Sequence, residues 1–266
     1  MIAGLKNDAL YGREETPAPE ALNVHGVNVV AGDAGRTARW LLEGLTLDEQ
    51  GRWRRRRRVA FLNAGSANLA AADPFYRRLL SSFVVLNDGI GLDIAARWSH
   101  GRTFPANLNG TDFVPYLLGR SDRSLRIHLV GGRPGVAEAA ARVLAERFPR
   151  HEIVGAQHGY FTGRETDEVV ARVAESRADV LLVAMGNPVQ ERFVAAYFDD
   201  LDVGLAIGVG ALLDFLSGRV SRAPHWMRRM RVEWVWRLAQ EPRRLWSRYL
   251  VGNVVFLART IRAPRS

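Results

Sequence analysis

The chain of 266 residues is 47% hydrophobic, enough to bury a core of its own with a smaller unit beside it. It has no cysteine, which excludes a disulfide framework, a thiolate metal site and thiol redox chemistry. Its net charge of +9 lies wholly at one end: Arg219 to Ser266 holds twelve arginines against Glu233 and Glu241, while the rest of the chain sums to about −1.

Residues 1–20 lack an apolar stretch behind a basic start, so they read as a flexible leader rather than a secretory signal. After them, short apolar runs alternate with longer segments of helical period, the pattern of parallel β/α units. The predicted strands are Val27 to Val30, Val59 to Asn63, Phe83 to Leu86, Leu125 to Val130, Glu152 to Ala156, Val180 to Ala184 and Val203 to Ile207. Helices are predicted over Ala34 to Leu47, Ala67 to Ser81, Gly91 to Trp98, Thr111 to Leu118, Pro134 to Phe148, Glu165 to Ser176 and Pro188 to Phe198. A doubly wound, mostly parallel sheet over residues 21–218 follows, with 219–266 as a basic, Trp-rich helical appendage. The run Arg52 to Arg58 reads as a solvated helix-to-strand connection or as a second contact with an anionic surface.

Ligands of doubly wound sheets bind beyond the carboxyl ends of the strands, and those positions here are rich in Gly, Asn and Asp. Asn63 opens the first. In the second, Asp88 stands at the tip of an apolar strand before Gly89 and Gly91, with no helix to cap. Asn109-Gly110-Thr111-Asp112 reads as a turn and a helix capped by Thr111. Gly131-Gly132-Arg133-Pro134-Gly135 reads as a phosphate cradle with Pro134 opening a helix, although it lacks the G-x-G-x-x-G spacing. Asn187-Pro188-Val189-Gln190 has the form of a capping box, which leaves open whether these polar residues serve a ligand or only the helix. His158 reads as a loop or core histidine. Asp200-Leu201-Asp202 spells a metal-holding pattern but precedes a strand, on the edge opposite the other polar positions, so it reads as a solvated loop.

In the basic end, Trp226, Trp234, Trp236 and Trp246 are interleaved with the arginines, a combination suited to an anionic interface. No run of about 18 apolar residues is present, so the segment lies on a bilayer rather than crossing it. Arg237, Arg244 and Arg248 are spaced for one helical face. The excess of 36 arginines over a single lysine, Lys6, reads as coding bias.

Taken in order, Asp88-Gly89-Ile90-Gly91, Asn109 to Asp112, Gly131 to Ala137, His158 to Phe161, Gly186 to Glu191, Gly208 to Gly210 and the run from Arg222 to Arg244 resemble the WecG/TagA/CpsF family of glycosyltransferases, glycosyltransferase family 26. Asn107 to Asp112 and Arg248 to Asn253 look most like its exopolysaccharide-type branch. The resemblance implies a Rossmann-like α/β core, a UDP-sugar donor and a polyprenyl-diphosphate-linked sugar acceptor at the inner face of the bacterial cytoplasmic membrane. It implies bacterial surface or exopolysaccharide biosynthesis by a peripherally attached cytoplasmic enzyme. By that resemblance Asp88 matches the general base, Gln190 a pocket residue, and Arg237 and Arg244 the arginines that reach the diphosphate. Asn63, Asn109, Thr111, Asp112, Gly131 and Gly132 complete the expected substrate-binding set. Many relatives carry a Thr where Phe61 stands, which leaves Ser66 as the nearby hydroxyl.

Such a transfer needs a base, a stabilised leaving diphosphate and a site shielded from water. With no cofactor and no metal invoked, the expected chemistry is an inverting displacement, with the Gly131 and Gly132 N–H groups and tail arginines on the diphosphate. Homo-oligomer formation is left open. A nucleic-acid binding protein using the Arg/Trp tail is the alternative, disfavoured because it leaves the strand-tip glycines unexplained; a nicotinamide-dependent oxidoreductase lacks the fingerprint spacing.

Overall fold

The computed structural model describes residues 16–263 except 225, 228, 229, 231, 241 and 247–249. Six parallel strands form the sheet: β3 (Arg57–Leu62), β4 (Val84–Asn87), β5 (Arg126–Gly131), β6 (Glu152–Gln157), β7 (Val180–Ala184) and β8 (Leu205–Gly208), in the order β4-β3-β8-β7-β5-β6. All five pairings are parallel, so every carboxyl end emerges at one edge. The expected Rossmann-like, mostly parallel architecture is what the chain adopts.

Side-chain alternation explains why helices cover both faces. On β3, Ala60 and Leu62 enter one core while Val59 and Phe61 enter the other; on β7, Leu181 and Val183 oppose Val180 and Leu182. The first core is roofed by α2 (Ala64–Ala72), α3 (Pro74–Leu80), α4 (Ile90–His100), α7 (Arg164–Glu175) and α8 (Val189–Leu201). The second is roofed by α1 (Ala34–Glu43), α5 (Gly110–Gly119), α6 (Val136–Arg147) and α9 (Leu212–Leu216).

Three local readings are corrected. A strand, β1 (Ala21–Val24), pairs antiparallel with β2 (Val27–Val30). His25 and Gly26 form the two-residue turn with φ of 51° and 85°, and Asn23 accepts the Gly26 N–H at 3.0 Å. The helix expected over Ala67 to Ser81 is two, because Asp73 accepts from Phe75 N and Tyr76 N and Pro74 opens the second. The arginine run is a solvated connection only in its first half: Arg52, Arg54 and Arg55 are exposed, whereas Arg56 lies over Phe198 (4.3 Å), Arg57 over Trp40 (4.2 Å) and Arg58 over Phe83 (5.5 Å).

Of the leader, residues 1–15 lie outside the described residues, while the Thr16 N–H donates to Glu43 at 3.0 Å and Glu20 pairs with Arg102. Beyond residue 218 come α10 (Glu233–Gln240), α11 (Pro242–Trp246) and α12 (Gly252–Arg262). α12 packs on α2 and α4. Its Phe256 has no exposed surface, lies in the first core and meets the His25 ring at 4.8 Å. Asn68 donates to the Gly252 carbonyl (2.7 Å), Arg259 donates to the Asn68 carbonyl (3.0 Å), and His25 Nε2 meets Thr260 Oγ1 (3.1 Å). The end of the basic segment is thus built into the core. Phe256→Ala is expected to lower unfolding free energy by about 3–5 kcal/mol, read as a shifted urea midpoint; an unchanged midpoint would mean that the fold does not use this ring.

Candidate active site

The strand tips enclose two adjoining clefts. One, of about 610 Å³, is lined by Asn63, Asp88, Gly132, Arg133, Tyr160, Asn187, Gln190, Gly208, Gly210, Asp214, Arg219 and Arg237, among others. The second, about 470 Å³, runs beneath α12 between apolar residues including Ile90, Ile94, Trp234, Leu250, Val254 and Leu257. Asn63, Asp88, Thr111 and Arg237 line both. A larger cavity of about 840 Å³, around Arg39, Arg120 and Arg123, holds no strand-tip residue of the polar set.

Asp88 is held by its backbone. Its N–H donates to the Leu62 carbonyl at 2.8 Å, and the next N–H, of Gly89, donates to Asn107 Oδ1 at 3.0 Å. Asn87, fully buried, donates to the Ala106 carbonyl at 2.9 Å. Two asparagines therefore bolt the β4 tip to the loop before α5. Gly89, with φ of 93°, occupies a backbone region that side chains rarely adopt and begins α4 without a side-chain cap.

Asn63 caps α2 in a capping box with Ser66, accepting Ser66 N at 3.1 Å while Ser66 Oγ accepts Asn63 N at 2.9 Å. Ser66 is buried and lines neither cleft, so its hydroxyl does not stand in at the strand tip; Phe61 itself lines the polar cleft, where a Cβ on Gly110 would come within 3.0 Å of its ring. The cap of α5 is Asn109, not Thr111: Asn109 Oδ1 accepts Asp112 N at 3.0 Å, which leaves Thr111 beside both clefts. Asp112 accepts from Arg222 at 2.8 Å, and Arg222 also pairs with Glu233 at 3.2 Å, joining α5 to α10.

The glycine pair differs from the expected N–H cradle. Gly132 N–H is committed to the Ala184 carbonyl at 2.9 Å, and α6 starts at Val136, two residues after Pro134. What the pair supplies is closeness: Gly131 has φ of 147° and a Cβ there would lie 2.4 Å from the Ala184 carbonyl oxygen. Gly132 lines the cleft and Gly131 does not. Nor is there a capping box at Asn187. Gln190 Oε1 accepts from Gly186 N (3.2 Å) and Gly210 N (3.1 Å), while Gln190 Nε2 (2.8 Å) and Asn187 Nδ2 (2.7 Å) both donate to Glu191 Oε1.

Arg237 reaches the junction from α10. Its guanidinium lies over the Phe215 ring at 5.7 Å, and its buried Nε has no hydrogen-bond partner among the described residues. An orphaned cationic donor beside a cleft is suited to an anionic ligand. Arg248 lies outside the described residues, as does the Arg244 side chain, so their shared face with Arg237 stays an expectation. His158 accepts the Tyr160 N–H and lines neither cleft. Asp200 and Asp202 are exposed at the end of α8, ahead of β8 and away from the tips. Sequence reasoning assigned no role to Tyr160, 66% exposed at the cleft, or to Asp214; the quoted His158 to Phe161 segment was a signal for the first, and nothing marked the second.

Glu191 is fully buried, and burial pushes its carboxyl up to about 7 against the opposing effect of the Gln190 and Asn187 hydrogen bonds. A folded-state acid weaker than its unfolded counterpart costs stability as pH rises from about 4.5 through 7, by about 3 kcal/mol at most. Glu191→Gln should therefore become more stable relative to the parent chain as pH rises from 5 to 8, by denaturant midpoints; a gap independent of pH would contradict the shift.

The sequence profile described as the Glycosyl transferase WecG/TagA/CpsF family matches residues 22–266. The chain is 33% identical over 194 residues to the N-acetylglucosaminyldiphosphoundecaprenol N-acetyl-beta-D-mannosaminyltransferase of Bacillus subtilis (strain 168), covering 72% of this chain and 74% of that one. It is 35% identical over 184 residues to the enzyme of the same name from Bacillus spizizenii, covering 68% and 70% respectively. A match across the sheet, both clefts and the basic segment establishes that the chain belongs to the WecG/TagA/CpsF family of glycosyltransferases.

Proposed function

We propose that the chain transfers a sugar from a UDP-sugar to a polyprenyl-diphosphate-linked sugar, with inversion, in the building of a bacterial surface polysaccharide. The observation that carries this reading is the position of Asp88 where a polar cleft meets an apolar one. The polar cleft suits a nucleotide sugar: Tyr160 offers a ring face to a base, and Arg133, Arg219 and Arg237 offer charge to a diphosphate. The apolar cleft suits the sugar and first lipid units of the acceptor. Both named relatives act on a diphosphoundecaprenol-linked sugar, which supports a lipid-linked acceptor here.

In the proposed step Asp88 takes the proton of the acceptor hydroxyl as its oxygen bonds to the anomeric carbon. The bond from that carbon to the phosphate oxygen breaks on the opposite face, and UDP departs with the electron pair. Arg237 meets the charge that develops on the leaving group, its orphaned Nε–H being already desolvated. Asn63, Thr111 and Gln190 are read as shaping the donor cleft. Asn109 and Asp112 are read as holding its rim, since their polar atoms serve the α5 cap and Arg222. Asp88→Asn should lower turnover by roughly 10²–10⁴-fold while UDP affinity, measured by calorimetry, stays within threefold. Unchanged turnover would remove Asp88 from the base role.

We place the working position of the enzyme on the inner leaflet of the cytoplasmic membrane. No helix among the described residues is long and apolar enough to cross a membrane. α12 instead turns an apolar stripe outward, with Val254 67% and Ile261 61% exposed beside Arg262. That stripe flanks the mouth of the apolar cleft through Val254. The double change Val254→Glu with Ile261→Glu should abolish co-sedimentation with phosphatidylglycerol vesicles and leave the circular dichroism spectrum unaltered; retained binding would refute the role of this face.

A further inference from the structure

We propose that Glu191 is a positioning residue for the polar cleft: its buried carboxyl fixes which way round the Gln190 amide lies, and through that amide holds the Gly186 and Gly210 turns as one floor. This rests on the reading of that cleft as a nucleotide-sugar site.

A primary amide has nearly the same shape either way round, so only its partners decide where oxygen and nitrogen point. Gly186 N–H and Gly210 N–H both donate to Oε1, at 3.2 and 3.1 Å, while Nε2 donates to Glu191 Oε1 at 2.8 Å. Reversing the amide would set its NH₂ against two N–H donors and its oxygen against a carboxyl oxygen. Gln190 is 1% exposed and Glu191 is fully buried, so bulk water does not fill in for a lost partner. Asn187 Nδ2 steadies the same Glu191 oxygen from the preceding turn at 2.7 Å.

The amide also packs against the last residue of β8 itself. A Cβ on Gly208 would approach Gln190 Nε2 within 2.8 Å, so β8 lies this close only because position 208 has no side chain. Gly186, Asn187, Gln190, Gly208 and Gly210 all line the cleft, whereas Glu191 does not. Glu191 therefore acts on a ligand only through Gln190 and Asn187. A carboxyl kept only for folding would, on exchange for an apolar side chain of similar size, lower stability by leaving the Gln190 and Asn187 donors without their acceptor, but would leave the UDP affinity of the folded protein unchanged.

The test compares UDP affinity by calorimetry in the full chain and in Glu191→Gln and Glu191→Met. Gln keeps an acceptor oxygen and Met removes it. The expected result is affinity within threefold for Glu191→Gln and at least tenfold weaker for Glu191→Met. A folded Glu191→Met that binds UDP like the parent, or a Glu191→Gln as weak as the Met variant, would overturn the proposal. If Glu191→Met does not fold, the Gln190 side-chain amide resonances, identified by their loss in Gln190→Met, decide the matter: they should move in Glu191→Gln, and unmoved signals would overturn it. Failure of the parent chain to bind UDP would instead strike the nucleotide reading of the cleft, an outcome separate from any difference between variants.

Discussion

Withdrawing a whole phenyl ring from water at the end of a strongly basic segment requires a hydrophobic seat, and Phe256 finds it between α2, α4 and the β1-β2 turn. The apolar cleft is walled by the helix seated there, and it adjoins the polar one. Ahead of α12, the described residues Arg219, Trp234 and Arg237 stand in the walls of the clefts at the strand tips. The buried ring seats α12 as a wall of the apolar cleft, and the Asp112–Arg222–Glu233 bridge holds the helix that carries Arg237 beside Asp88.

This changes how the charge asymmetry is read. Summed from the sequence, the last 48 residues look like a uniform cationic patch. Among the described residues its arginines divide: Arg222 is paired with two carboxylates, Arg259 is spent on Asn68, Arg243 and Arg262 face solvent, and Arg219, paired with Asp214, and Arg237 line the clefts. Only the solvent-facing members act as a diffuse, salt-screened charge. Arg237 lies over Phe215 in a half-buried position, where electrostatic interactions are stronger than at the surface.

The parallel sheet was legible because apolar strands such as Val180 to Ala184 have few other ways to bury both faces, and because Gly, Asn and Asp recur after them. The place of Asp88 at a strand tip beside the clefts was legible for a local reason: it precedes a glycine at the end of an apolar strand, and α4 after it has no side-chain cap. From the residue pattern alone Asn187 and Gln190 were not, because a capping box and a strand-bridging amide share the same residue types at the same spacing; only the family resemblance put Gln190 in the pocket. The tertiary placement of Gly210 beside Gln190 separates the two arrangements. The Gly132 N–H was misread similarly, since its partner, Ala184, lies 52 positions along the chain. β1 escaped because its four residues show only two buried side chains, too short a period to stand out without the His25-Gly26 turn.

A lipid-linked acceptor and a water-soluble donor impose opposite demands on one site, because the surfaces that hold each are repelled by the medium of the other. On the proposed reading the fold meets both by placing the two surfaces on different segments: the strand tips supply the polar wall, and α4 with α12 supplies the apolar one. The two walls touch along a narrow line that includes Asn63, Asp88, Thr111 and Arg237. On the proposed reading an acceptor seated in the apolar cleft closes one side of that line and a nucleotide closes the other. Water is then excluded from Asp88 only when both substrates are present, which favours transfer over hydrolysis of the donor without a dedicated lid.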